Sequence, residues 1–115
     1  MNVVALKDSI LGKRYDLSVA FLSAREMRAV TRKTKNKNKA SNVLAFPLSK
    51  SSGEILICKE TANKQNKAYG MSQRDFITFL LIHGMLHLKG HRHGATMENE
   101  ERRVLRRLGV RVRNE

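Results

Sequence analysis

Three histidines are spaced so that they could converge on one point. His83 and His87 are four residues apart, so on a helix they stand one turn above the other on the same face. Gly90 comes three residues after His87, where a helix can end in the left-handed conformation. The turn it permits swings His93 back towards the first two. Three neutral imidazole nitrogens around one centre leave at least one position of a tetrahedral metal open, as in a catalytic zinc site, and suit other first-row metals too. A lone histidine on an apolar helix face is ordinarily a hydrogen-bonded core residue. A pair one turn apart, with a third beyond a glycine turn, favours the metal. His91, the remaining histidine, precedes His93 by two residues and is read as a substrate contact or surface residue, not a ligand.

The same spacing occurs in the metzincin protease signature, H-E-x-x-H-x-x-G-x-x-H. Where that signature has its glutamate, this chain has Gly84. Without the carboxylate, peptide hydrolysis lacks the general base that takes the proton from the metal-bound water, a contribution of roughly 10²–10⁴-fold. A metal with an open position can still activate water or polarise a phosphoryl oxygen.

The charge selects between these chemistries. The chain of 115 residues carries 23 Lys and Arg against 10 Asp and Glu, a net charge of +13, which points to a polyanionic partner such as nucleic acid. Aromatic residues are only 5% and Trp is absent, so contacts to phosphates are expected to outweigh stacking on bases. The length fits one domain, residues 1–115, and 41% apolar residues suffice for a core. No apolar run is long enough to cross a membrane, the first residues lack the pattern of a signal peptide, and the one cysteine, Cys58, cannot form an internal disulfide. These features predict a cytoplasmic protein.

The elements that must hold the histidines follow from pattern. A short helix is expected over Val4 to Leu11, with Val4, Leu6, Ile10 and Leu11 as its apolar side. Tyr15 to Leu22 alternates like a strand. Ser23 and Glu26 form a capping-box pattern for a helix running to about Val30. Thr31 to Ala40 holds five cations, no acid and no large apolar side chain, and reads as a mobile loop unable to bury anything. Asn42 to Pro47 is a short strand ended by the only proline, a residue suited to an edge. Ser49 to Gly53 is a turn. Glu54 to Cys58 is a strand buried on both faces. Lys59 to Ala68 is helical, and Ser72 caps a central helix, apolar nearly all round, that carries the histidines. Thr96 to Leu108 is a terminal helix, with Met97, Val104, Leu105 and Leu108 inward and Arg102, Arg103, Arg106 and Arg107 outward; Arg111 and Arg113 follow.

The block His83-Gly84-Met85-Leu86-His87-Leu88-Lys89-Gly90-His91-Arg92-His93 resembles the signature of the YbeY family, H-G-x-L-H-L-x-G-Y-D-H. Ser41-Asn42-Val43-Leu44-Ala45-Phe46-Pro47 is similar to that family's T-D/N-V-L-S-F-P, and Gly53-Glu54-Ile55-Leu56-Ile57-Cys58 to its G-D-I-V-I-C strand; Met97 and Glu101 are also in step. The resemblance implies an α+β, zincin-like fold: a small mixed β-sheet packed with helices, its central helix carrying the metal-binding histidines. It implies His83, His87 and His93 as ligands of one Zn²⁺ per chain. The implied activity is that of a single-strand-specific, metal-dependent endoribonuclease in maturation of the small-subunit ribosomal RNA 3′ end and in ribosome quality control. Ribosomal RNA, the small ribosomal subunit and ribosomal proteins are the implied partners.

The chain departs from the family pattern in three places. Lys35 stands where the family has a substrate-facing arginine. Lysine keeps the charge without bidentate phosphate recognition, and Arg32 is close enough to substitute, so Lys35 and Arg32 are the candidate catalytic cations. Arg32, Lys33, Lys35, Lys37, Lys39, His91 and Arg92 are the candidate RNA contacts. His91-Arg92 replaces Tyr-Asp, which removes an acidic group that could orient a ligand histidine. Only about fifteen residues precede the first matched strand, so the sheet is expected to be one strand short or covered differently at its edge. Two alternatives remain open: a metzincin-like metalloprotease, and a ribosome-assembly RNA-binding factor whose metal is structural.

Overall fold

A computed structural model describes residues 2–110, so Arg111 and Arg113 lie outside the described residues. Three strands form one mixed sheet: β1 (Asp16–Phe21), β2 (Val43–Ser49) and β3 (Ser52–Ile57), in the order β1-β3-β2. β1 runs parallel to β3, with Val19 opposite Ile55, and β2 is antiparallel to β3, with Ala45 opposite Ile55. Pro47 lies on the edge strand β2, where the ladder shifts register between Pro47 and Ser49. The missing proline N–H is tolerated there because β2 has a neighbour on one side only.

β3 is buried on both faces, as its apolar run predicts. Ile55 and Ile57 belong to the main core, while Leu56 and Cys58 join Met27 and Leu44 in a second cluster behind the sheet. The main core is built on α4 (Gln73–Leu88), packed by α1 (Val3–Ile10) and α5 (Ala95–Arg107). α3 (Lys59–Gln65) and a 3-10 turn (Asn66–Tyr69) lead from β3 into α4, so the expected helix over Lys59 to Ala68 ends early as a tighter spiral. In α1, Leu6 and Ile10 are buried, one turn apart, but Val4 points to solvent at 63% exposure. Leu108, which caps the end of α5, is likewise 49% exposed, contrary to its expected inward position.

The largest correction concerns residues 31–40. α2 spans Ala24–Lys35, so Arg32, Lys33 and Lys35 stand on a helix, not on a loop. The capping box forms as expected: the Ser23 N–H donates to Glu26 Oε1 (2.9 Å) and the Glu26 N–H to Ser23 Oγ (3.1 Å). Thr31, expected on a segment unable to bury anything, is fully buried. Its hydroxyl donates to the Met27 carbonyl (2.9 Å) and reaches Ser41 Oγ (3.0 Å), which ties the helix to the start of β2. The helix stops at Asn36, whose left-handed φ of 54° suits asparagine.

Candidate metal centre

α4 begins where Ser72 Oγ accepts the Asp75 N–H (3.1 Å) and buries Phe76, Leu80, Leu81, Ile82, Met85 and Leu86 around most of its circumference. A helix held on every side is a rigid mount for ligands. It crosses β3 closely at Gly84. A Cβ on Gly84 would lie 3.0 Å from Ile55 Cδ1, 3.2 Å from its Cγ1 and 3.3 Å from its Cγ2. Glycine at this position lets the helix settle onto the sheet. A longer side chain there would point into the sheet and away from the histidines.

The C-terminal end of α4 is a complete Schellman turn. The Gly90 N–H donates to the His87 carbonyl (3.0 Å) and the His91 N–H to the Leu86 carbonyl (3.0 Å), with Gly90 at φ +109°. This turn carries the chain back so that His93 meets the other two rings, 5.1 Å from His83 and 4.6 Å from His87 between centroids. One nitrogen from each of His83, His87 and His93 lies within 4.8 Å of the others.

The remaining nitrogens fix how two of the rings are protonated. His83 Nδ1 is 2.9 Å from Glu101 Oε2, and His87 Nδ1 is 3.2 Å from the His91 carbonyl oxygen. Both partners are acceptors, so each Nδ1 carries the proton and each Nε2 presents a lone pair when the ring is neutral. Those two Nε2 atoms are 3.2 Å apart. With both rings neutral, these facing lone pairs repel unless a proton or a metal ion lies between them. Ligand nitrogens about 2.0–2.1 Å from a tetrahedral zinc stand roughly 3.3–3.4 Å from one another, so the spacing fits a first-row divalent metal. The residues present therefore suit a metal, with His83, His87 and His93 as its holders and a position left for substrate or water.

The acidic group missing from His91-Arg92 is supplied from elsewhere. Glu101 comes from α5 and is 6% exposed, and the backbone of His91 serves His87. Glu101 lies on the buried face of α5 with Met97, Val104 and Leu105. A carboxylate on an apolar stripe must be paired. That position, an acid at helical spacing among Met97, Val104 and Leu105, is the signal in the sequence for its role. Removing the carboxylate with Glu101→Ala is expected to weaken metal affinity about 10–100-fold, with Glu101→Gln less affected because its amide oxygen can still accept from Nδ1. Competition against a chromophoric chelator measures this, and equal affinity in all three proteins would contradict the role.

Burial lowers the His87 pKa, and the neighbouring His83 and His93 lower it further. The unfolded chain, with an ordinary value near 6.5, then takes up the proton first as pH falls. Stability of metal-free protein is therefore expected to be full above about pH 6.5 and to decline as pH drops through the lower folded value. Thermal melts of metal-stripped protein between about pH 8 and 5 check the sign; a rise on acidification would contradict it.

The chain matches the sequence model of the family described as Endoribonuclease YbeY over residues 2–112. The chain belongs to that family. A protein with the same description from Chelativorans sp. (strain BNC1) is 38% identical over 100 residues, covering 79% of this chain and 61% of its own length. Another, from Bartonella quintana (strain Toulouse), is 32% identical over 124 residues, covering 96% of this chain and 76% of its own length. In three dimensions the chain is similar to the solution structure of TM1509 from Thermotoga maritima, with a TM-score of 0.64 at 21% identity, over 89% of this chain and 75% of that one. That last likeness concerns the fold.

Within the family frame, the expected ligand set is brought together, and the expected cations are not drawn into it. Arg32, Lys33, Lys35, Lys37 and Lys39 are all exposed on α2 and the segment after it. Met27 anchors that helix in the cluster behind the sheet, on the face opposite α4. No hydrogen bond or ion pair joins these cations to the histidines among the described residues. His91 is half-buried beside the site and Arg92 is exposed.

Proposed function

We propose that this chain is a single metal-dependent endoribonuclease domain that holds one Zn²⁺ on His83, His87 and His93 and cleaves single-stranded RNA. The observation that carries this reading is the convergence of one nitrogen from each of His83, His87 and His93 within 4.8 Å, with the first two rings held from behind at Nδ1. A metal held there supplies Lewis acidity towards a phosphoryl oxygen and a water of lowered pKa. The chain's own residues do the rest. Glu101 holds His83 from the side away from Nε2, so it is a positioning residue and cannot reach reacting atoms. The exposed cations Arg32, Lys33, Lys35, Lys37, Lys39 and Arg92 bind the RNA backbone, and His91 contacts RNA at the turn.

Family membership supports ribosomal RNA as the substrate, 3′ end maturation of the small-subunit RNA and ribosome quality control as the role, and the small subunit with its proteins as partners. A cytoplasmic location agrees with these partners. No helix of the described residues is long and apolar enough to cross a membrane.

Incubation of purified protein with structured ribosomal RNA fragments and with casein separates nuclease from protease. Chelator-sensitive RNA cleavage without proteolysis is expected, and chelator-sensitive proteolysis would overturn the reading. An RNA-binding factor with a structural metal would bind RNA and cleave neither. Affinity for single-stranded RNA is expected to fall about a hundredfold between roughly 50 and 200 mM salt if five phosphates are neutralised. Lys35→Ala is expected to slow cleavage more than Lys39→Ala. A salt-independent affinity, or equal effects of the two substitutions, would contradict the assignment of these cations.

A further inference from the structure

At the other end of α4 from the histidines, a groove of about 330 Å³ opens between the end of β1, the first turn of α3 and the first turns of α4. Its lining combines one aromatic ring (Phe21), two carboxamides (Asn63 and Gln73), two cations (Lys59 and Arg74) and one aliphatic floor (Ile77). From Gln73 to His83 is ten residues, about 15 Å along the helix axis at 1.5 Å per residue, so the groove is separate from the metal centre.

Phe21 is 50% exposed at the end of a strand, an unusual place for one of only four phenylalanines in the chain. Lys59 Nζ sits 4.5 Å from its ring centroid. At an exposed site such a contact is weak, and the flexible lysine stem can leave the ring for a phosphate. No carboxylate lines the groove. The adjacent Glu60 is engaged elsewhere, accepting the Ala24 N–H at 3.2 Å. The Asn63 and Gln73 side chains make no hydrogen bond among the described residues, so their donors and acceptors are available to a ligand.

We propose that this groove is a nucleotide subsite that takes one unpaired base on Phe21, reads its edge through Asn63 and Gln73, and holds its phosphate with Lys59 and Arg74. Unstacked bases of single-stranded RNA are recognised by such combinations of a ring, amide groups and cations. It rests on the nuclease reading in taking RNA as the ligand. It adds to that reading a second point of attachment remote from the metal, which would help hold a strand whose scissile bond lies at the histidines.

The test uses mononucleotides, which contain no bond for a nuclease to cleave. Wild-type protein is titrated by NMR with AMP, with ribose 5-phosphate and with inorganic phosphate. AMP is expected to shift the backbone signals of Phe21, Asn63, Gln73 and Arg74 at lower concentration than the two base-free probes. Phe21→Ala is expected to weaken AMP binding at least fivefold and Phe21→Tyr to retain it, since stacking on one ring contributes about 1–3 kcal/mol. Lys59→Gln and Arg74→Gln, substitutions of exposed side chains, keep the test open if Phe21→Ala misfolds, and each is expected to weaken AMP more than Lys67→Ala does. Shifts that are identical for AMP and ribose 5-phosphate, or AMP affinity unchanged in Phe21→Ala, would overturn the subsite. Wild-type protein that binds AMP in the groove but cleaves no RNA when metal-loaded supports the subsite and overturns the nuclease reading, so the two fail separately.

Discussion

Replacing His87 with alanine is expected to remove both tight metal binding and RNA cleavage, with the rate falling by about 10³-fold or more. The magnitude follows from the several kcal/mol of charge stabilisation that a bound metal supplies to a transition state. His87 is the central ring of the cluster: its Nε2 lies 3.2 Å from that of His83, and its centroid is 4.6 Å from His93. Loss of this ring leaves two nitrogens, one of them on the exposed His93, which is too few to hold a catalytic metal. The fold is expected to survive, because His87 is only half-buried and alanine keeps the backbone carbonyl that closes the turn at Gly90. Circular dichroism, metal analysis and a cleavage assay on the same preparation check the three parts. A variant that binds no metal yet cleaves at the wild-type rate would refute the role of the cluster.

Gly84→Glu is expected to destabilise the protein by about 3–5 kcal/mol and to create no protease. The substitution restores the letter that the metzincin signature has at this place, but the structure gives that letter no room. The first atom of the new side chain would already meet Ile55 at 3.0 Å, and the carboxylate would be carried into the interface of α4 and β3 without a partner. A loss of that size lowers the melting temperature by more than about 10 °C in a domain of this length. Gly84→Ala, by contrast, is expected to stay within about 1 kcal/mol of the wild type, because improved helix propensity offsets a small displacement of Ile55. Thermal melts and a casein assay decide it. A stable Gly84→Glu protein with proteolytic activity would show that the helix can turn its glycine face towards the metal.

The convergence of the three histidines was legible in the sequence because most of it is local. Helical spacing sets His83 over His87, and a glycine at the right distance from the helix end turns His93 back, which the Schellman hydrogen bonds at Gly90 bear out. The capping box at Ser23 and the doubly buried strand at Ile55 to Ile57 were legible for the same reason, since each is written in consecutive residues. The extension of α2 to Lys35 was hidden. A stretch with no large apolar side chain gives no periodic signal, and what holds it is one buried threonine hydroxyl bonded to Ser41 ten residues on. The bond between Glu101 and His83 was hidden too, because it spans eighteen residues and depends on how α5 docks against α4. The positions of the α2 cations behind the sheet likewise follow from packing that no local pattern encodes.

The proposed role of His83, His87 and His93 is to hold one metal ion together. Its most direct test is elemental analysis of purified wild-type protein beside His83→Ala, His87→Ala and His93→Ala after equilibration with a small excess of Zn²⁺. A ratio near one metal per chain in the wild type, falling towards zero in His83→Ala and His87→Ala and well below one in His93→Ala, is the predicted result. A wild-type ratio near zero, or a ratio near one that persists in all three variants, would contradict it.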